Sequence, residues 1–103
     1  MWTALIFSLH SAAMQKQVKI RVYGLVQGVF FRAFVLEKAL MLGLKGYTLN
    51  DSDGSVFIEA QGEQAKIAEF IEWCQKGPRR ARVDRVEMEE MPVADFKTFE
   101  IRT

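Results

Sequence analysis

The chain has 103 residues, half of them hydrophobic, which fits one domain and is enough to bury a single core. Its 14 basic and 13 acidic side chains leave a formal net charge of +1, which argues against a dedicated nucleic-acid binder steered by its overall field. One cysteine, Cys74, excludes an internal disulfide and is compatible with a reducing compartment, and with one histidine, His10, beside it a closed zinc site of the usual ligands is excluded too.

Residues 1–14 differ from the rest. An apolar run over 2–9 is too short to span a bilayer, and it lacks the basic segment that should precede it in a signal peptide. Met14, followed by the polar Gln15-Lys16-Gln17, reads as an alternative start. We therefore expect 1–14 to be a non-core N-terminal extension, with a cleaved signal as the weaker alternative, and 15–103 to form a single domain.

The alternation Val18-Lys19-Ile20-Arg21-Val22-Tyr23 predicts a half-buried strand over about 17–24. A glycine-bearing loop follows, then a helix over 33–42. Phe31, Val35, Ala39 and Leu42 share one face of it, Leu36 and Leu40 widen that face, and Gly43 suits its C-terminal end. A short strand over 45–49 leads to Asn50-Asp51-Ser52-Asp53-Gly54, a strong hairpin turn signal. The third strand sets Val56, Ile58 and Ala60 on one side. Gly62-Glu63 reads as the opening of a second helix, in which Ile67, Phe70, Ile71 and Cys74 fall at i, i+3, i+4 and i+7, and Gly77-Pro78 stops it. On that stripe Cys74 is a small core residue rather than a nucleophile. The fourth strand, near 81–88, breaks its alternation between Val83 and Val86, which either a bulge or a late strand start explains. A last strand over 97–102 puts Phe99 and Ile101 on one face. The order βαββαβ plus a short terminal strand predicts an α+β, ferredoxin-like sandwich: a mostly antiparallel sheet with two helices on one face.

Chemistry concentrates at Gly24-Leu25-Val26-Gln27-Gly28-Val29-Phe30-Phe31-Arg32. A glycine loop entering a helix offers unpartnered N–H groups and the positive end of the helix dipole. Arg32, at the helix start, adds a planar cation that can grip a phosphate at two points. Taken alone, the plainer reading is a tight turn followed by a surface arginine. The crossover from the first strand through the helix to the second makes those strands parallel, so Arg32 and Asn50 should meet at one end of the sheet. A carboxamide there can orient something beside a bound oxyanion. Asn also begins turns everywhere, and pattern alone leaves these two readings even. The cluster Lys76, Arg79, Arg80, Arg82 and Arg85 reads first as a solvated loop and second as a nucleic-acid patch. The first and third strands lack the aromatic signature of RNA-binding sheets, so no nucleic-acid partner is expected.

With both segments in hand, the sequence resembles the acylphosphatase family. The first signature, G-x-V-Q-G-V-x-F-R, stands at 24–32, and the second, a glycine and aromatic ahead of Asn-x-x-Asp-Gly-x-Val, stands at 46–56. Leu42-Gly43-Leu44, Gln61-Gly62, Gly77-Pro78, Ala81-Arg82-Val83 and Phe99-x-Ile101 continue the match in one register from residue 17 onward. The resemblance implies a metal-free, cofactor-free ferredoxin-like enzyme that hydrolyses acyl phosphates to a carboxylate and inorganic phosphate. It implies that Arg32 binds phosphate, Asn50 positions water, and Val26, Gln27, Gly28, Val29, Phe30 and Phe31 form the phosphate cradle. We expect a cytoplasmic monomer with small-molecule partners and no membrane association. Thr48-Leu49 stands where the family often has Val and a basic residue, and Val35 stands where many members place Thr. Segments around Arg32 and Asn50 also resemble the acylphosphatase-like N-terminal domain of carbamoyl-transferring hydrogenase maturation factors, which are large multidomain proteins. The competing readings are a non-catalytic phosphate- or carbamoyl-phosphate-binding or regulatory module and, more distantly, an RNA-binding ferredoxin-like domain.

Overall fold

Residues with a period of two and residues with a period near 3.6 separate cleanly along the chain, and the elements follow them. The structure, a computed structural model, describes residues 14–103, so the expected extension over 1–14 lies outside the described residues except for Met14. In chain order the elements are β1 (Gln15–Leu25), α1 (Phe31–Met41), β2 (Lys45–Asn50), β3 (Val56–Glu63), α2 (Gln64–Lys76), β4 (Arg82–Met91) and β5 (Phe99–Ile101). The sheet order is β4-β1-β3-β2-β5. β1 pairs antiparallel with β3 and β4, β3 pairs antiparallel with β2, and β5 joins β2 in parallel. β1 and β2 therefore run parallel with β3 between them, and their C-terminal ends share one end of the sheet. This is the ferredoxin-like sandwich.

Val18, Ile20 and Val22 of β1 and Val56, Ile58 and Ala60 of β3 share one core cluster with Phe31, Val35 and Ala39 of α1 and Ile67, Phe70 and Cys74 of α2. Both helices thus cover the same sheet face, and each large apolar side chain buried there contributes about 1.5–3 kcal/mol. α1 closes with paired bonds at its C-terminus: the Gly43 N–H donates to Leu40 O at 3.2 Å and the Leu44 N–H to Ala39 O at 2.9 Å.

Two local expectations are corrected, and one open choice is decided. Gly62 and Glu63 belong to β3, because the β1 ladder continues to Gln15 opposite Glu63, and the first helical N–H, that of Gln64, donates to Met14 O at 2.9 Å. Leu40 is 57 % exposed and widens no core face, since α1 turns it away from the sheet while Leu36 and Leu42 pack partly against the core. The broken alternation of the fourth strand is a bulge: Tyr23 faces Arg85 and Gly24 faces Val83, leaving Asp84 as the extra residue. The strand crosses Gly24 so closely that a Cβ there would lie 2.1 Å from Arg82 O, at a φ of 136°. Gly24→Ala is therefore expected to destabilise the fold by more than about 2 kcal/mol, through strain and backbone overlap together. Urea unfolding checks this, and an unchanged midpoint would refute the close approach.

Candidate active site

The loop between β1 and α1 turns through two residues of positive φ. Gly28 has φ 75°, and Phe30, at φ 63° and ψ 22°, caps α1 without a side-chain hydrogen bond. No acidic residue occupies the first turn of α1, so its amide donors and the positive end of its dipole are left unneutralised. Arg32 is the second residue of that helix, half-buried, and among the described residues it has neither ion-pair nor hydrogen-bond partner. A cavity of about 300 Å³ opens here, lined by Val26, Gly28, Phe30, Phe31, Arg32, Ala33, Asn50 and Ile101.

Asn50 ends β2 opposite Val56 and completes the cavity from the other parallel strand. Its Oδ1 is buried and accepts no hydrogen bond, the sole buried side-chain polar atom in that condition among the described residues. Such an orphan costs about 1–3 kcal/mol unless a ligand or water supplies the donor.

The fold thus brings Arg32, Asn50 and four of the six expected cradle residues onto one cavity. Gln27 and Val29 do not line it. Gln27 turns its side chain away, and its Nε2 donates to Asp51 O at 2.7 Å and to Ser55 O at 2.9 Å. It thereby staples the cradle loop to the turn that follows Asn50. That turn is fixed from the sheet side as well. Arg21 Nη1 donates to the Asp51 carboxylate and, at 3.1 Å, to Ser55 Oγ, while its guanidinium lies 5.0 Å from the Phe57 ring centroid. In the sequence Arg21 is one polar residue of an alternating strand. Nothing in the local pattern signals a partner 30 positions away, and the same holds for Ile101, which reaches the cavity because β5 returns beside β2.

The turn carboxylates titrate low. The hydrogen bond from Arg21 holds Asp51 below the ordinary carboxylate value of 3.8, and bonds from the Ser55 hydroxyl and amide do the same for Asp53. Because the folded-state values are depressed, the unfolded chain binds more protons below 3.8, and stability rises with pH through that window. The stabilisation by these groups should be complete above about pH 4 and fade as pH falls through their folded-state values. Acid unfolding of Asp51→Asn beside the parent checks this: the variant should lose part of the slope below pH 4, and identical slopes would refute the coupling.

Other candidates are absorbed by structure. Burial pushes the Cys74 thiol up, as suits a core residue. Within the basic cluster, Arg82 pairs with Asp84 at 3.0 Å, and Arg85 pairs with Glu87 at 3.4 Å while lying 4.1 Å over the Tyr23 ring. Val35 and Thr48 are buried, Thr48 Oγ1 donating to Phe57 O at 3.0 Å, and neither they nor Leu49 line the cavity.

Fold and cavity together define a class: an α+β protein of ferredoxin-like topology with an electropositive pocket where two parallel strands end. Comparison with known proteins narrows the class to one family. The acylphosphatase family model matches residues 18–101, and the chain belongs to that family. An acylphosphatase of Rubrobacter xylanophilus is 42% identical over 95 residues, covering 91% of this chain and 86% of that protein. The solved structure of an acylphosphatase from Coxiella burnetii superposes with a TM-score of 0.83 at 41% identity, covering 85% of this chain and 93% of that one. Full-length HypF, solved in a phosphate- and nucleotide-bound form, also reaches a TM-score of 0.83 at 33% identity, over 88% of this chain but 12% of HypF.

Proposed function

We infer that this member of the family hydrolyses the carboxyl–phosphate anhydride of acyl phosphates, and we propose that Arg32 and the cradle amides hold the phosphoryl group while Asn50 holds the attacking water. The observation that carries the residue assignment is that Asn50, whose buried Oδ1 has no partner, lines the same cavity as the unpaired Arg32.

The chemistry suits this sparse set of side chains. An acyl phosphate is a mixed anhydride, and its leaving group is a stabilised carboxylate that departs without a proton and without a Lewis acid. Water oxygen forms the new bond to phosphorus, and the bond from phosphorus to the bridging oxygen breaks, its electron pair going to the carboxylate. The water proton passes to a phosphoryl oxygen of the substrate. What the protein supplies is position and charge. The Arg32 fork and the amides of the uncapped helix start meet oxygens whose charge grows in the transition state. Asn50 cannot deprotonate a water, but its carboxamide carries both a donor and an acceptor and can hold one in line. Gln27 and Arg21 act one step back, locking the cradle and the Asn50 turn in a single geometry.

The reading includes metal-independent action by a cytoplasmic monomer, with 15–103 as the catalytic domain. No helix among the described residues is long and apolar enough to cross a membrane. The test is turnover of benzoyl phosphate with chelator present and inorganic phosphate as inhibitor. Steady turnover with competitive inhibition is expected. A folded protein that binds phosphate and releases no product would instead favour a binding module.

A further inference from the structure

We propose that Arg79 and Arg80 form an electrostatic guide that draws anionic substrate to the cradle without touching it. The proposal rests on the hydrolase reading and adds residues outside the cavity that set how readily a phosphoryl dianion is captured.

The arginines divide by whether a carboxylate neutralises them. Arg21, Arg82, Arg85 and Arg102 pair with Asp51, Asp84, Glu87 and Glu100 respectively. Arg32, Arg79 and Arg80 have neither ion-pair nor hydrogen-bond partner among the described residues. A paired charge projects little field beyond its partner, so the field around the cavity follows the unpaired ones. Lys76, in the last turn of α2, is balanced by Glu72 one turn earlier and by the negative end of the helix dipole. With Asp51 taken by Arg21, Asp53 is the carboxylate left to oppose Arg32, Arg79 and Arg80 at this end of the sheet.

Local structure fixes Arg79 and Arg80 beside the cradle. The Gly77 N–H ends α2 by donating to Trp73 O at 2.8 Å. Gly77 lies so close to Phe31, a residue of the cavity wall, that a Cβ would stand 2.8 Å from the ring. Pro78 is buried, and the Ala81 N–H donates to Pro78 O at 3.0 Å. That bond closes a turn whose central residues, Arg79 and Arg80, are exposed. Arg82 then stands opposite Leu25, the residue ahead of Val26 on the same wall. Two residues of chain span at most about 7 Å, so each arginine is anchored within about one Debye length, ~10 Å at 0.1 M salt, of residues that meet the wall.

The double variant Arg79→Gln/Arg80→Gln removes the guide and leaves every cavity residue in place. Lys66→Glu makes the same change in net charge in the first turn of α2, at the opposite end of that helix. Steady-state kinetics with benzoyl phosphate and calorimetric titration with inorganic phosphate are run at low and high salt. At ~10 mM salt, where charges act over about 30 Å, the double variant should lose about three- to fivefold in kcat/KM and in phosphate affinity. Its kcat should hold, and the difference from the parent should vanish at ~0.5 M salt. Lys66→Glu should change either quantity by less than about twofold. A loss that persists at high salt, a fall in kcat, no change at low salt, or an equal effect of Lys66→Glu would overturn the guide and leave the hydrolase reading intact. Absence of turnover by the wild type would overturn the hydrolase reading, and the phosphate titrations would still decide whether the two arginines guide the anion.

Discussion

Arg32→Lys is expected to lose about a hundredfold or more of kcat/KM while keeping its fold. The guanidinium at the start of α1 is half-buried and has no carboxylate partner among the described residues, so the fold does not depend on its charge. Its planar fork can meet two phosphoryl oxygens at once, whereas an ammonium on a flexible stem is a single point charge with freely rotating donors. Removing one preorganised donor from a developing oxyanion typically costs about two to three orders of magnitude in rate. Steady-state kinetics with benzoyl phosphate, together with a thermal melt, separates the two effects. Near-normal turnover by the lysine variant would remove Arg32 from its assigned role. Arg32→Gln, which keeps donors but not charge, should be at least as impaired.

Asn50→Ala should lower kcat by about a hundredfold, a loss typical of reactants misplaced by about an ångström. Inhibition by inorganic phosphate should change little, because the cradle and Arg32 remain. The variant should also be no less stable than the parent. Oδ1 of Asn50 is buried without a donor, and deleting it relieves a cost of about 1–3 kcal/mol in the unliganded protein. Gain of stability with loss of turnover is the signature of a side chain held for chemistry rather than for packing. Equal losses in kcat and phosphate affinity would mean instead that Asn50 binds the phosphoryl group.

That Arg32 and Asn50 share one end of the sheet was legible in the sequence, for different reasons at the two positions. Arg32 stands in a nine-residue signature that places it after a glycine loop at a helix start, so local chemistry already suggested an anion site. Asn50 stands in a turn where its presence had an ordinary explanation. The crossover rule for parallel strands was needed to bring it toward Arg32, and the sheet order β4-β1-β3-β2-β5 puts the two on one cavity. The supports were not legible. The sequence places Gln27 in the cradle loop, and nothing in it shows that the carboxamide donates to two carbonyls of the opposite turn. Which way a side chain points from an irregular loop depends on the carbonyls that happen to lie within reach, and no sequence period encodes that.

The sequence by itself determined the order of the elements, most of their apolar faces and the strand–loop–helix unit that holds Arg32. Each of these follows from spacings of two to four residues, or from glycines whose backbone freedom acts within a single turn. Tertiary structure alone decided that β5 returns to pair in parallel with β2 and sets Ile101 against the cavity, that Asp84 is the bulged residue opposite Gly24, and that Arg21 anchors the turn after Asn50. These are contacts between residues far apart in the chain. Their energies depend on where whole elements pack, and packing is settled by the shared core rather than by any local run of residues.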